Sequence, residues 1–247
     1  MKGLIIAAGR GKRLSNIFPS KPLLPVAQQP LIDWVVKALI RAGIKDIVVV
    51  TGYQSDQVED HLKNQVYPEE ISFNFVLNEE WQKENGLSVY KAQPFLGQPF
   101  FLLMADHIFD PSILIELKKA ELKNGQLILA VDSKIDSHPY VDLEDVTRVR
   151  IQDGFIVDIG KGLTDYNAFD TGIFYCSPAI FQALEESQRL FQNFSLSGGV
   201  KRLAARGQAR ALEVANRFWI DVDDENALGK AEAFLKTGGS WLEGVGQ

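Results

Sequence analysis

Short apolar runs alternate with helical patterns along the first half of the chain. Five runs have the composition of buried strands, and four amphipathic stretches between them have the spacing of helices. The strands are predicted at residues 4–8, 47–51, 73–78, 100–104 and 127–131, and the helices at 31–42, 55–64, 87–93 and 111–123. Because parallel strands covered on both faces read as continuous apolar runs, this alternation predicts a doubly wound, mostly parallel, Rossmann-like α/β sheet.

The pattern changes in the second half. An Asp153-Gly154 pair between apolar runs at 146–151 and 155–159 predicts a β-hairpin. Further strands are predicted at 171–175 and 210–214, and helices at 178 onward, 196–206 and 224–235. We expect one domain over 1–247, with a main core in 1–135 and a small β-rich lid plus C-terminal helices in 136–247. The glycine-rich tail, 237–247, is expected to be loosely held unless Trp241 and Leu242 dock it.

Composition and charge limit the kinds of partner and the cell compartment that are expected. A net charge of −6 lacks the positive surface that nucleic-acid binding needs, so no nucleic-acid partner is expected. No apolar run reaches membrane-spanning length and the apolar start is too short for a signal peptide, so we expect a cytoplasmic protein without membrane insertion. The single cysteine, Cys176, lies in an apolar run, which indicates a buried structural thiol.

The loop after the first predicted strand carries small residues and cations. Residues 9–14 read Gly-Arg-Gly-Lys-Arg-Leu, and Lys21 follows between a serine and a proline. Small residues let backbone N–H groups approach phosphate oxygens, and Arg13 and Lys21 can neutralise a triphosphate. A Walker loop is excluded because Lys12 precedes an arginine, and a dinucleotide fingerprint because Leu14 occupies the place of a small residue. The loop therefore predicts a triphosphate site at the carboxyl end of a strand.

Two places in the sequence offer carboxylates for a divalent cation. Asp106 follows a predicted strand, and Asp221 and Asp223 alternate on an extended segment, which puts both on one face. Mg²⁺ in phosphoryl transfer is held by one or two carboxylates together with substrate phosphates. These aspartates could instead cap a strand end or a helix, and for Asp224, just before the last helix, capping is expected.

These motifs resemble those of the sugar-phosphate nucleotidylyltransferases, and most of all the inositol-1-phosphate cytidylyltransferases. The likeness begins with Ala-Ala-Gly-x-Gly-x-Arg over 7–13 and Lys-Pro-Leu-x-x-Val over 21–26. It continues in the family's order through segments at 85–88, 104–107, 159–163, 169–174 and 219–223. Two positions depart from the family pattern: Lys12 replaces Ser or Thr, and Ala105 replaces glycine. The resemblance implies the nucleotide-diphospho-sugar transferase type of fold.

The resemblance implies roles at the nucleotide for the matching residues. Arg13 grips the triphosphate, and Lys21 stabilises charge on the α-phosphate during attack. Backbone and small side chains frame the nucleotide at Ala7, Ala8, Gly9, Gly11 and Lys12. The base and ribose are expected to lie along Asn85, Gly86 and Ser88. The implied first substrate is CTP.

A metal site and an acceptor site are also implied. Mg²⁺ is the expected cofactor, and its ligands are Asp106, which also counts as catalytic, Asp221 and Asp223. The residues expected to face a phosphorylated acceptor are His107, Lys161, Asp170, Thr171 and Gly172. For His107 the alternatives stay open: it orients Asp106, touches the acceptor or is simply hydrogen-bonded in place. Residues 1–135 then form the nucleotide-binding core and 136–247 the acceptor-binding part.

The implied reaction transfers CMP from CTP to a phosphorylated polyol, inositol 1-phosphate, and releases pyrophosphate. Trp81, close to acidic residues, keeps phosphocholine open as the acceptor, although packing of its loop explains it as well. Sugar 1-phosphates are a further alternative. A non-catalytic nucleotide-sensing subunit with this fold would be expected to lose the metal and phosphate residues, and a dinucleotide-dependent oxidoreductase is disfavoured by the broken fingerprint.

Overall fold

The computed structural model describes residues 1–136, 138–214 and 216–237. The predicted tail, including Trp241 and Leu242, lies outside the described residues from 238 onward. The described strands are β1 (Lys2–Ala7), β2 (Pro25–Val26), β3 (Gln29–Pro30), β4 (Asp46–Thr51), β5 (Ser72–Leu77), β6 (Phe100–Met104), β7 (His107–Phe109), β8 (Leu127–Asp132), β9 (Arg148–Gln152), β10 (Phe155–Gly160), β11 (Ala168–Cys176), β12 (Ala209–Glu213) and β13 (Trp219–Asp221). The described α-helices are α1 (Leu31–Arg41), α2 (Ser55–Asn64), α3 (Asn85–Lys91), α4 (Ser112–Lys119), α5 (Ala179–Phe191), α6 (Leu196–Ala204) and α7 (Glu225–Lys236).

A nine-stranded mixed sheet forms the centre of the molecule, in the order β5-β4-β1-β6-β11-β8-β12-β10-β9. β5, β4, β1 and β6 are parallel neighbours, and β8 and β12 are also parallel to each other. β11 runs antiparallel between β6 and β8. The prediction of a doubly wound, mostly parallel sheet is confirmed, with β11 as the antiparallel strand at its centre.

The second half of the chain continues this sheet. The β9–β10 hairpin, predicted from Asp153-Gly154, pairs Phe155 with Gln152 and extends the sheet beyond β12. β11 also comes from the second half, yet it lies in the middle of the sheet. The predicted division at residue 135 therefore stays a prediction about function, because the sheet itself crosses it.

Apolar side chains cover both faces of the sheet. Neighbouring residues of β1 point to opposite sides, so that Leu4 and Ile5 are fully buried in different clusters. Leu39 of α1 packs in the cluster with Ile5, and Leu184 of α5 packs in the cluster with Leu4. Cys176 is buried and free, as predicted. None of the described helices combines the length and the apolar composition needed to cross a membrane.

Two features of the fold were not predicted from the pattern. α4 ends at Lys119 rather than 123, because Ala120 turns to extended backbone with ψ of 133°. The short strand β7 pairs antiparallel with β13, and its register sets His107 opposite Asp221. This pairing brings two motifs that are distant in the sequence to one place.

Candidate active site

A cavity of about 610 Å³ opens at the carboxyl ends of β1 and β6. Most of the predicted site residues line it. They are Ala8, Gly9, Arg13, Asn85, Ser88, Asp106, His107, Lys161, Asp170, Gly172, Asp221 and Asp223. The cavity therefore lies where a doubly wound sheet binds its ligands, and it combines both halves of the predicted site.

Six other predicted residues lie behind or beside the cavity wall, and Lys21 is one of them. Ala7 is buried in the core, and Gly86 packs in α3 against the backbone of Phe194. The hydroxyl of Thr171, fully buried, donates to the carbonyl of Ala130 at 2.8 Å and so points away from the cavity. Lys12 and Gly11 also lie outside the cavity lining. Gly11 has φ of +65°, and a Cβ there would lie 2.5 Å from Cβ of Lys21, so its small size makes room for that lysine.

Lys21 is a buried ammonium surrounded by carboxylates. Its Nζ lies 2.5 Å from Oδ2 of Asp106 and 3.6 Å from Oδ1 of Asp221, and it also contacts Asp223. Burial lowers the pKa of Lys21, but these three negative charges outweigh burial and raise that pKa above its ordinary value. Lys21 is therefore a permanent positive charge at this end of the cavity.

Asp106, His107 and Asp221 form a compact donor set next to Lys21. Nδ1 of His107 lies 2.8 Å from Oδ1 of Asp106 and 3.9 Å from Oδ1 of Asp221. Donor atoms of the three residues all lie within 4.8 Å of one another. Oδ1 of Asp221 is buried and has no hydrogen-bond partner within the described residues. A buried carboxylate oxygen that accepts no hydrogen bond, beside a second carboxylate, fits a hard divalent cation.

The pKa values of this donor set are moved apart. Desolvation and the charge of Asp106 raise the pKa of Asp221 to about 7. Desolvation also acts on Asp106, but Lys21 and His107 outweigh it and hold the pKa of Asp106 well below its usual range. Burial lowers the pKa of His107, whereas Asp221 and Asp106 raise it to about 9. Because a divalent cation favours the ionised form of both carboxylates, the pair is suited to share one.

Asp223 links the carboxylate cluster to the phosphate-binding loop. Its Oδ2 accepts from Nη2 of Arg13 at 2.6 Å, while Oδ1 contacts Lys21. The next residue, Asp224, accepts from the backbone N–H of Ala227 at 2.7 Å, which confirms the predicted cap of α7. Both aspartates line the cavity, but Asp223 contacts its cations whereas Asp224 begins a helix.

β11 and Lys161 form the part of the cavity that was predicted to face the acceptor. Gly172 has φ of +73°, and a Cβ there would lie 2.5 Å from Nε2 of His107, so only glycine lets the imidazole approach this strand. The backbone N–H of Gly172 donates to Oδ1 of Asp170 at 2.8 Å. Desolvation raises the pKa of Asp170 to about 6. Lys161, in contrast, is largely exposed, with 61% of its side chain accessible.

Polar residues of α3 form the opposite wall. Asn85 accepts from the backbone N–H of Leu196 at 2.9 Å, and Ser88 accepts from the amide of Asn78 at 2.9 Å. Trp81 also lines the cavity, and its ring packs edge-on against Tyr53 with centroids 5.2 Å apart. Contacts within the protein therefore fix the side chains of this wall, which stays a predicted site for the base and ribose.

The comparison with protein families decides the relationship of this chain. A model of the MobA-like NTP transferase domain matches residues 3–151. The chain belongs to this family. The region that matches the MobA-like domain contains the loop with Arg13 and Lys21 and the Asp106-His107 pair, so the predicted resemblance to nucleotidylyltransferases is confirmed.

Curated relatives of this MobA-like chain carry a longer sequence. The bifunctional IPC transferase and DIPP synthase of Rubrobacter xylanophilus is 34% identical over 94% of this chain and 51% of its own length. The protein with the same name from Aquifex aeolicus is 32% identical over 98% of this chain and 53% of its own length. The chain thus spans about half the length of these relatives.

Solved structures share the fold of this MobA-like chain. The inositol-1-phosphate CTP transferase from T. maritima superposes with a TM-score of 0.85 at 23% identity, covering 100% of this chain and 98% of that one. A UDP-glucose pyrophosphorylase complexed with UDP-glucose superposes with a TM-score of 0.78 at 22% identity, covering 96% and 98%. The predicted nucleotide-diphospho-sugar transferase fold is confirmed.

Several lining residues were not predicted from the sequence, among them Ser197, Asn226 and Lys230. The longest such segment is residues 138–146, which we call the strap; it lines the cavity and contributes the carboxylates of Asp142 and Asp145. Asp145 contacts both Arg13 and Lys161, and Asp142 lies 4.0 Å from Arg13. The only signal in the sequence is a short acidic run, 142–145, and such a run is usually an exposed face.

Proposed function

We propose that this chain transfers CMP from CTP to inositol 1-phosphate, producing CDP-inositol and pyrophosphate. The observation that carries the proposal is the cluster of Lys21 with Asp106, Asp221 and Asp223 at the end of β1 and β6. It offers a fixed cation and metal-binding carboxylates where a triphosphate would lie, while Lys161 stands across the cavity for a second phosphate. The Rubrobacter and Aquifex relatives are named IPC transferases, and the T. maritima structure with the same fold is named an inositol-1-phosphate CTP transferase. These names support CTP and inositol 1-phosphate as the two substrates.

The chemistry needs positioning rather than a covalent intermediate. A phosphate oxygen of the acceptor, ionised at neutral pH, attacks the α-phosphorus of CTP, and a P–O bond forms as the bond to the β-phosphate oxygen breaks. Pyrophosphate leaves with the electron pair of that bond. Arg13 and Lys21 would stabilise the charge that develops on the phosphates, and Lys161 would hold the acceptor's phosphate in line.

The donor set fits Mg²⁺. Asp106 and Asp221 would hold the ion, with Asp223 as a third candidate ligand. When bound, Mg²⁺ would neutralise charge on the triphosphate and orient it for attack. His107, hydrogen-bonded to Asp106 and packed on Gly172, would fix the orientation of that carboxylate.

Glucose 1-phosphate is the second candidate acceptor, with UTP as its nucleotide. A UTP–glucose-1-phosphate uridylyltransferase of Staphylococcus epidermidis is 26% identical over 96% of this chain and 90% of its own length. Phosphocholine remains a prediction from Trp81, whose ring borders the cavity. A nucleotide-sensing subunit is disfavoured because Arg13, Lys21, Asp106 and Asp221 are all present and lie in or beside one cavity.

The deciding experiment measures pyrophosphate release from each of the four ribonucleoside triphosphates, crossed with inositol 1-phosphate, phosphocholine and glucose 1-phosphate, with and without Mg²⁺. We expect release with CTP, inositol 1-phosphate and Mg²⁺ together. Release with UTP and glucose 1-phosphate would show that these are the substrates, and the proposed mechanism would still apply. No release with any pair, with nucleotide still bound, would contradict the transferase proposal and favour the sensing subunit.

A further inference from the structure

A line of alternating charges joins the two ends of the cavity. It runs from Lys161 to Asp145, Arg13, Asp223 and Lys21, and each residue contacts the next. Asp145 uses a different oxygen for each of its partners: Oδ1 contacts Nζ of Lys161, and Oδ2 contacts Nη2 of Arg13. The carboxylate of Asp145 therefore pairs with two cations at the same time: Arg13, proposed to bind the triphosphate, and Lys161, proposed to bind the acceptor.

We infer that Asp145 is a positioning residue that couples the two phosphate-binding cations of the reaction. This inference rests on the proposed function, because it needs phosphate on both sides of Asp145. In the free protein the carboxylate holds Arg13 and Lys161 close to each other. A triphosphate that engages Arg13 removes one of the two contacts that retain Asp145, and its negative charge repels the Asp145 carboxylate. The side chain then turns away and leaves Lys161 to the acceptor's phosphate.

The strap holds Asp145 in a defined place. At its start, Nε2 of His138 lies 2.9 Å from Oδ2 of Asp132, a buried carboxylate at the end of β8. At its end, Arg148 donates to the carbonyl of Leu143 at 3.0 Å. These two attachments hold the backbone of the strap in place, so that an exchange of contacts requires only the Asp145 side chain to turn.

A turn inside the strap aims the Asp145 side chain. The backbone N–H groups of Asp145 and Val146 donate to the carbonyl of Asp142, at 3.2 and 2.9 Å. Oδ1 of Asp142 accepts from the backbone N–H of Glu144 at 3.0 Å. Asp142 thus begins the turn, and Asp145 projects from it toward the two cations.

Asp145 is ionised at neutral pH, and its contacts are exposed enough for a phosphate to replace them. Desolvation raises the pKa of Asp145, but Lys161 and Arg13 outweigh it and bring that pKa to about 2, so the carboxylate is ionised at neutral pH. Its side chain is 30% accessible, and that of Arg13 is 46% accessible. Partly exposed ion pairs are worth little individually, so a phosphate with two or more charges can displace the carboxylate.

Asp145 acts on binding, so its role can be measured without turnover. Isothermal titration gives the Kd of inositol 1-phosphate in the presence of Mg²⁺, with and without a saturating CTP analogue that carries a methylene between the α- and β-phosphorus. In the parent protein we expect the analogue to strengthen acceptor binding by about fivefold, as for the loss of one or two exposed ion pairs. In Asp145→Asn we expect tight acceptor binding without the analogue and a coupling below about twofold.

The matched control is Asp142→Asn. It removes the same charge from the same strap, it keeps an oxygen that can accept from Glu144, and position 142 has no contact with Lys161. We expect the control to keep the coupling of the parent protein. Equal coupling in Asp145→Asn and Asp142→Asn, or no coupling in the parent protein, would overturn the role of Asp145.

Inorganic pyrophosphate separates this inference from the proposed function. It needs no acceptor, and we expect Asp145→Asn to bind it about fivefold more tightly than the parent protein, because Arg13 is freed. Suppose that Asp145→Asn binds pyrophosphate more tightly but the parent protein releases none with any pair of substrates. The role of Asp145 in holding Arg13 would then stand, and the proposed function would be contradicted. If the parent protein is an active transferase but Asp145→Asn binds pyrophosphate as the parent does, the proposed function would stand and the role of Asp145 would be contradicted.

Discussion

Lys21 and Lys161 are both proposed to meet phosphate, but the protein holds them in opposite ways. Only 6% of the Lys21 side chain is accessible, and three carboxylates surround it at the end of the parallel strands. Lys161 is 61% accessible and contacts a single carboxylate of the strap. Under the proposed function, the comparison teaches that the sheet would fix the charges that act on the bond being broken, whereas exposed segments would present the charges that select the acceptor. Changes at the buried end should therefore affect the rate, and changes at the open end should affect affinity.

The largest effect is expected from Asp106→Asn, which removes a proposed metal ligand and a partner of Lys21. Turnover measured by pyrophosphate release should fall by about a thousandfold, because the charge that stabilises the transferred phosphate is lost. Asp110→Asn is the control: Asp110 caps the backbone N–H of Ser112 at 2.8 Å, close in sequence but outside the cavity lining. Substantial remaining turnover in a folded Asp106→Asn protein would show that the metal is not held by Asp106.

Lys21→Ala should lower kcat by about a hundredfold while changing the KM for CTP much less. The reason is that its contact strengthens as charge builds on the α-phosphate. Steady-state kinetics separate the two parameters, with Lys37→Ala on α1, whose ammonium contacts Gln29, as the control for loss of a lysine. An effect confined to KM would demote Lys21 to ground-state binding and weaken the contrast with Lys161.

At the open end, Lys161→Gln should raise the KM for the acceptor by roughly tenfold, as expected for one charge-assisted hydrogen bond, and change the KM for CTP by no more than the coupling of about fivefold through Asp145. Lys201→Gln is the matched control, because Lys201 pairs with Asp158 at 2.8 Å and does not line the cavity. A fall in kcat as large as that of Lys21→Ala would contradict the division between rate and affinity.

The smallest effect concerns stability and comes from Asp170. Its pKa is raised to about 6 by desolvation, so the native state binds more protons than the unfolded state between about pH 4 and 6. The contribution of this residue to stability is therefore present at low pH and is lost as pH rises through 6. The stability of Asp170→Asn relative to the parent protein should rise across that window, by about 2 kcal/mol. Urea unfolding at several pH values measures the difference, and a difference independent of pH would show that Asp170 is well solvated.

The sequence predicted the buried end of the site better than the open end. Asp106 directly follows a strand that the apolar pattern indicates, and the loop after β1 brings Lys21 to the same edge of the sheet, where it contacts Asp106 and Asp221. Asp221 joins them through the pairing of β13 with β7, which the apolar pattern did not indicate. The partner of Lys161 was not predicted, since Asp145 reaches it from a strap that has no periodicity of its own.

Thr171 illustrates a different difficulty. The motif places it between Asp170 and Gly172, which both line the cavity, yet its hydroxyl bonds to Ala130 on the neighbouring strand. Alternation along β11 turns its side chain away from its two neighbours, and the register of β11 against β8 shifts between Asp170 and Phe174. A local motif names the segment that forms a site, but the direction of each side chain depends on strand pairing that the motif does not contain.

The central position of the antiparallel strand β11 has a consequence for folding during synthesis. Translation delivers β6 and β8 to the ribosome exit before β11, so the facing edges of both strands lack their native neighbour until Cys176 has emerged. Open strand edges pair readily with other chains, and strands that join late are slow to close. Among the described strands β11 is the longest, so a nascent chain remains exposed to misassembly until its own longest strand arrives, and a truncation before Ala168 leaves that hazard permanent.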